Sequence, residues 1–119
     1  MKKIFVVDDN TSSLIIVEEA LSEHYDVFTL SSVKFMFDLL DKVTPDLILM
    51  DLLMPVTGGF EALKLLKESR NADIPVIILT SKVDDAAEAK GFELGAADFI
   101  RKPFSKPVLL DRIKAHVRG

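Results

Sequence analysis

Five short apolar runs punctuate the chain at similar intervals: Ile4–Val7, Val27–Leu30, Leu47–Met50, Val76–Leu79 and the weaker Phe99–Ile100. The first, third and fourth are continuous rather than alternating, which predicts strands buried on both faces. Between the runs, apolar positions recur at helical spacing. Leu14, Val17 and Leu21 mark one helix, and Met36, Leu40 and Val43 a second. Phe60, Leu63 and Leu66 mark a third, and Leu110, Ile113 and Val117 the last. Asp84–Leu94 also reads as helical, but it offers mainly alanines and carries Gly91 inside, where glycine costs about 1 kcal/mol relative to alanine. Strand and helix alternate five times. That order predicts an α/β domain, a parallel sheet with helices on both faces.

The polar residues that follow the runs carry the chemistry. Asp8 and Asp9 follow the first, Asp51 the third, Thr80 and Ser81 the fourth, and Lys102 the fifth. In an open parallel sheet these are carboxyl ends of strands, the edge where ligands bind. The common order for five strands, 2-1-3-4-5, makes strands 1 and 3 neighbours and brings Asp8, Asp9 and Asp51 together. Any one of these residues would also serve as an ordinary strand or helix cap. All of them on one edge, with a lysine, argue for a site. Three clustered carboxylates require a proton or a cation. All-oxygen ligation selects a hard ion, and Mg²⁺ suits a site that also takes phosphate. Three aspartates, one Mg²⁺ and Lys102 then sum to zero charge.

Composition narrows the classes. A length of 119 residues predicts one domain, spanning 1–119, and 49% hydrophobic with 29% charged content is incompatible with a disordered chain. With 15 Lys and Arg against 19 Asp and Glu, the net charge of −4 argues against direct nucleic-acid binding. The lack of cysteine excludes a disulfide scaffold, a thiolate metal site and a cysteine nucleophile. His24 and His116 show no metal-ligand spacing and read as solvated helix residues. No apolar run approaches the ~18 residues of a membrane span, so a cytoplasmic protein without membrane contact is expected. Met36, Met50 and Met54 read as core fillers or lid residues. Gly58 and Gly59 read as the turn into the third helix, because neither nucleotide-binding glycine pattern is present.

Four segments, VVDDN at 6–10, LILMDLLMPVTGG at 47–59, PVIILTS at 75–81 and GAADFIRKPFS at 95–105, resemble the receiver domain of bacterial two-component response regulators. The resemblance runs the full length and implies a flavodoxin-like fold of the chemotaxis-receiver kind. It implies that Asp51 is the phosphoacceptor, a carboxylate nucleophile that becomes an aspartyl phosphate. Asp9 and Asp51 would ligate Mg²⁺ directly, Asp8 mainly through water, and the Leu53 backbone carbonyl would add another oxygen. Lys102 would pair with a phosphoryl oxygen, and its bond to Pro103 would be cis. Thr80 would be the switch hydroxyl and Phe99 the switch aromatic, where a tyrosine is frequent. Leu53 and Lys82 fall where the family varies and where phosphoryl hydrolysis is tuned. A leucine cannot orient an attacking water, so slow self-dephosphorylation is implied.

The partners implied are a sensor histidine kinase or phosphotransfer protein, an output domain or effector, and a second copy docking through the Asp84–Arg112 face. Asp98 and Arg112 resemble dimerisation charges of DNA-binding regulators, although apolar Val108 stands where an acid is expected. The domain would be a switch that assists only its own phosphorylation and dephosphorylation. Phosphorylation exchanges the −1 of Asp51 for about −2, which attracts nearby donors such as Thr80. Movement of Thr80 inward would vacate space for Phe99, and the weakly buried helix of Asp84–Leu94 would respond. Two readings from other classes stay open. An aspartate-nucleophile phosphohydrolase would usually carry a second acid where Leu53 stands. A flavin-binding module would have its phosphate repelled by the acidic residues unless Mg²⁺ intervened. Turnover of a phosphate ester marks the former, and a yellow protein the latter.

Overall fold

The apolar runs become strands in the computed structural model, which describes residues 1–54, 56–81 and 84–117. They are β1 (Lys3–Val7), β2 (Asp26–Leu30), β3 (Leu47–Met50), β4 (Val76–Thr80) and β5 (Asp98–Arg101). The helices are α1 (Thr11–Leu21), α2 (Val33–Leu40), α3 (Gly59–Lys67), α4 (Asp85–Glu93) and α5 (Lys106–His116). Lys82, invoked above, lies outside the described residues. The sheet is parallel throughout, in the order β2-β1-β3-β4-β5. The expected order therefore holds.

Alternate residues of each central strand serve two cores, as the two-residue period of a strand requires. Phe5, Val7, Ile48, Met50, Val76 and Ile78 pack toward α2, α3 and α4, among Met36, Leu40, Leu63, Leu66 and Ala87. Ile4, Val6, Leu47, Leu49, Ile77 and Leu79 pack toward α1 and α5, among Val17, Leu21, Leu109 and Ile113. Met36 and Met50 are fully buried and Met54 packs against the first core, so the methionines do fill core space.

Two helices differ from expectation in detail. The second stops at Leu40, and Val43 packs on the core from beyond the helix. On α5 the buried pair is Leu109 and Ile113, one turn apart, with Leu110 and Val117 only partly covered. The adjacent leucines offered two registers about 100° apart, and the i, i+4 pair won.

Gly91 also acquires a different meaning. A Cβ there would lie 2.9 Å from Ile78 Cδ1 and 3.4 Å from Phe99 Cδ2. The glycine is less a weak point in α4 than the gap through which α4 reaches the sheet. Among the described residues no helix is long and apolar enough to cross a membrane.

Candidate functional site

The parallel ladder runs one residue past three strand ends, and this fixes the site. The Asp8 amide donates to the Leu30 carbonyl at 3.0 Å, and the Asp51 amide to the Val7 carbonyl at 3.0 Å. On the other side of the sheet centre, the Lys102 amide donates to the Thr80 carbonyl at 2.9 Å. With Val7 opposite Met50, Asp8 and Asp51 emerge side by side. The Lys102–Pro103 bond is cis, as expected.

Glycine completes the floor. A Cβ on Gly59 would stand 2.4 Å from the Asp51 carbonyl oxygen and 2.7 Å from Leu52 Cα. No side chain fits there, so α3 can start directly against the backbone that carries Asp51. The turn reading of these glycines was thus incomplete. Gly58 caps α3 without a side-chain bond, while Gly59 makes the close approach.

Four side chains converge. Lys102 Nζ donates to Asp8 Oδ2 at 2.5 Å and to Asp51 Oδ2 at 3.2 Å, and it lies 3.2 Å from Ser13 Oγ. Asp8 and Asp51 are only 4% and 8% exposed. The remaining carboxylate oxygens are held by backbone amides, Asp8 Oδ1 by Asn10 and Asp51 Oδ1 by Leu53, at 3.0 and 3.2 Å. Burial works against the charge on Lys102. Hydrogen bonds and attraction from Asp8 and Asp51 outweigh it and hold the ammonium pKa above the usual lysine value.

The other expected residues stand around this centre. Thr80 is fully buried at the end of β4, and Ser81 is exposed beyond it. Phe99 is buried beneath α4 beside Gly91. Asp9 is exposed and, among the described residues, takes part in no hydrogen bond or ion pair. Leu53 is half exposed and touches Asp51 through its amide. Among the described residues no three acidic or histidine side chains are preassembled around a metal position. The donor chemistry nevertheless suits Mg²⁺, which takes one or two carboxylates and keeps several waters. Two buried carboxylates already share one cation, the Lys102 ammonium.

Sequence reasoning missed Ser13 and the Leu53 amide. It also misjudged His116, which is not merely solvated: its Nε2 lies 3.1 Å from Asp98 Oδ2. Arg112 Nη1 donates to the other oxygen of the same carboxylate at 2.9 Å. The two charges expected to serve a dimer are therefore paired with each other inside one chain. His24 lies in the turn after α1 rather than in a helix.

Comparison with known proteins agrees with this geometry. Residues 4–114 match the response regulator receiver domain family. A protein of Vibrio cholerae described as a probable cyclic di-GMP phosphodiesterase is 34% identical over 117 residues, 98% of this chain. The chain spans 26% of that relative's length. The chemotaxis protein CheY4 of Vibrio cholerae superposes with a TM-score of 0.91 at 28% identity, covering 98% of this chain and 99% of that one. The BeF3-activated receiver domain of DrrB, from Thermotoga maritima, gives 0.89 at 35% identity, covering 98% and 97%. Receiver domains of this family work with histidine kinases and output domains as phosphoacceptor switches. The chain belongs to the response regulator receiver domains and has their phosphoacceptor role in two-component signalling.

Proposed function

We propose that Asp51 accepts the phosphoryl group from a sensor histidine kinase or phosphotransfer protein in the cytoplasm. The observation that carries this is a buried carboxylate at the sheet edge, 3.2 Å from an ammonium that also binds Asp8. An Asp51 oxygen forms the new P–O bond, and the P–N bond to the donor histidine breaks, its electron pair leaving with the imidazole nitrogen. Lys102 keeps a positive charge where phosphoryl oxygens gather, which is most of what such a transfer needs from a protein. The Leu53 amide holds the carboxylate in place. Asp8, Asp9 and Asp51, with the Leu53 carbonyl, would hold Mg²⁺. When bound, that ion neutralises charge on the carboxylates and the phosphoryl oxygens.

Thr80 and Phe99 read the event out. Phe99 borders α4 at Gly91, and a groove of about 440 Å³ lined by Glu88, Phe99, Arg101, Phe104, Val108 and Arg112 lies on the Asp84–Arg112 face. That face is the surface offered to an output domain or effector. A second copy would meet it with the Asp98–Arg112 pair already closed. The chain assists only its own phosphorylation and dephosphorylation.

The test is phosphorylation by acetyl phosphate with Mg²⁺, followed by mass spectrometry. Asp51→Asn is expected to fold and to lose the adduct; an adduct of unchanged stoichiometry overturns the assignment. Thr80→Ala should still take the phosphoryl group but lose amide-shift changes around Phe99.

A further inference from the structure

The structure points to Ser13 as a positioning residue: we propose that its hydroxyl fixes the direction of the Lys102 ammonium and so sets the rate at which Asp51 is phosphorylated. The inference rests on Asp51 being the acceptor.

A lysine ammonium has three hydrogens to place. Here it has three acceptors within reach: Asp8 Oδ2, Asp51 Oδ2 and Ser13 Oγ, the last two both at 3.2 Å. The contacts are unequal, and the shorter one, 2.5 Å, goes to Asp8. With two carboxylates alone, a flexible four-carbon stem is free to settle on Asp8, which is not the residue that reacts. Ser13 supplies a neutral acceptor on the α1 side. It completes the ammonium's hydrogen bonding without adding a third negative charge to compete with Asp51.

Ser13 is itself held in place. Its amide donates to Asn10 Oδ1 at 3.0 Å, the cap of α1, and the Asn10 amide donates to Asp8 Oδ1 at 3.0 Å. Asp8, Asn10, Ser13 and Lys102 thus form a closed ring of hydrogen bonds. The β1–α1 turn thereby sets where the hydroxyl stands relative to the carboxylate it assists. The ring borders a cleft of about 320 Å³ that Ser13 lines with Ile16, Ser81, Lys102, Pro103 and Phe104. Water entering this cleft would otherwise compete for the third ammonium hydrogen.

The experiment uses the whole chain with acetyl phosphate and Mg²⁺, where Asp51 forms a P–O bond and acetate leaves with the electron pair of the broken one. Loss of one such hydrogen bond should slow phosphorylation of Ser13→Ala about 2- to 10-fold. Ser13→Thr, which keeps the hydroxyl, should restore the rate. A second measurement needs neither metal nor phosphodonor. The side-chain ammonium resonance of Lys102 should be sharp in the parent and in Ser13→Thr, and broadened by faster exchange in Ser13→Ala. A helix-capping role alone would leave that resonance unchanged. An unchanged rate and an unchanged resonance in Ser13→Ala overturn the inference, as does a slowed rate with an unchanged resonance. Asp51→Asn run in parallel separates the two failures. An adduct there overturns the acceptor assignment, while a missing adduct beside an unaffected Ser13→Ala overturns only the role of Ser13.

Discussion

At the carboxyl end of β5, Lys102 bridges Asp8 and Asp51 from two other strands; at its amino end, Asp98 gathers Arg112 and His116 from α5. The first cluster sets two nearly buried carboxylates against one cation and so keeps surplus negative charge. The second sets one carboxylate against an arginine and a histidine, and its Arg112 side chain is 46% exposed. Surplus buried charge at the first demands a further cation and prepares a phosphoryl site. At the second, solvent screens the charges and the contact only fastens α5 to the sheet. The two ends also differ in their glycines. Gly59 meets backbone beneath Asp51, which cannot yield, whereas Gly91 meets the tip of Ile78 above the strands, which can.

The largest effect is expected from Lys102→Met. Removing the shared cation leaves two buried carboxylates facing each other, at a cost of about 3 kcal/mol in metal-free urea titration. The folded pKa of Lys102 is raised, so its contribution is fully present below the ordinary value of 10.5 and is lost as pH rises through the folded value. Tyr25, raised by burial, loses stability in the same direction, while Lys67, lowered mainly by burial, gains as it deprotonates. The difference between parent and Lys102→Met cancels the Tyr25 and Lys67 contributions, and it should shrink as pH rises through the folded Lys102 value. A difference independent of pH would refute the cluster's role in stability.

Next comes Gly59→Ala, expected to cost about 2–3 kcal/mol and to slow phosphorylation, because the added methyl displaces the Asp51 backbone. Denaturant midpoints and adduct formation check both halves. Asp98→Ala should cost only about 1 kcal/mol, with phosphorylation unchanged, as suits a half-exposed pair. Smallest is Gly91→Ala, within about 1 kcal/mol of the parent, since better helix propensity offsets the crowding of Ile78 Cδ1. A large loss at Gly91 would mean that α4 cannot yield, contrary to the contrast drawn above.

What the sequence made legible, and what it hid, follows from range. Continuous runs such as Leu47–Met50 announce buried strands because successive side chains point to opposite faces and helices cover both. The residue after such a run falls on the sheet edge by topology alone, which is how Asp8, Asp51 and Lys102 were found. Ser13 was invisible because a serine in the first turn of a helix is ordinary, and its partner is 89 residues away. The contact between His116 and Asp98 joins two elements in the same hidden way. Leu53 was read for its carbonyl, while its amide serves Asp51, and backbone chemistry leaves no mark on residue identity. Gly91 read as a local cost because the atoms that crowd it belong to β4 and β5.

The contact between Asp8 and Lys102 joins positions 94 apart in sequence. During synthesis the acidic residues emerge from the ribosome first and their lysine late. A nascent chain that has not yet delivered β5 holds Asp8 and Asp51 without the ammonium they share, so the pairing of these two carboxylates waits for the last strand to dock.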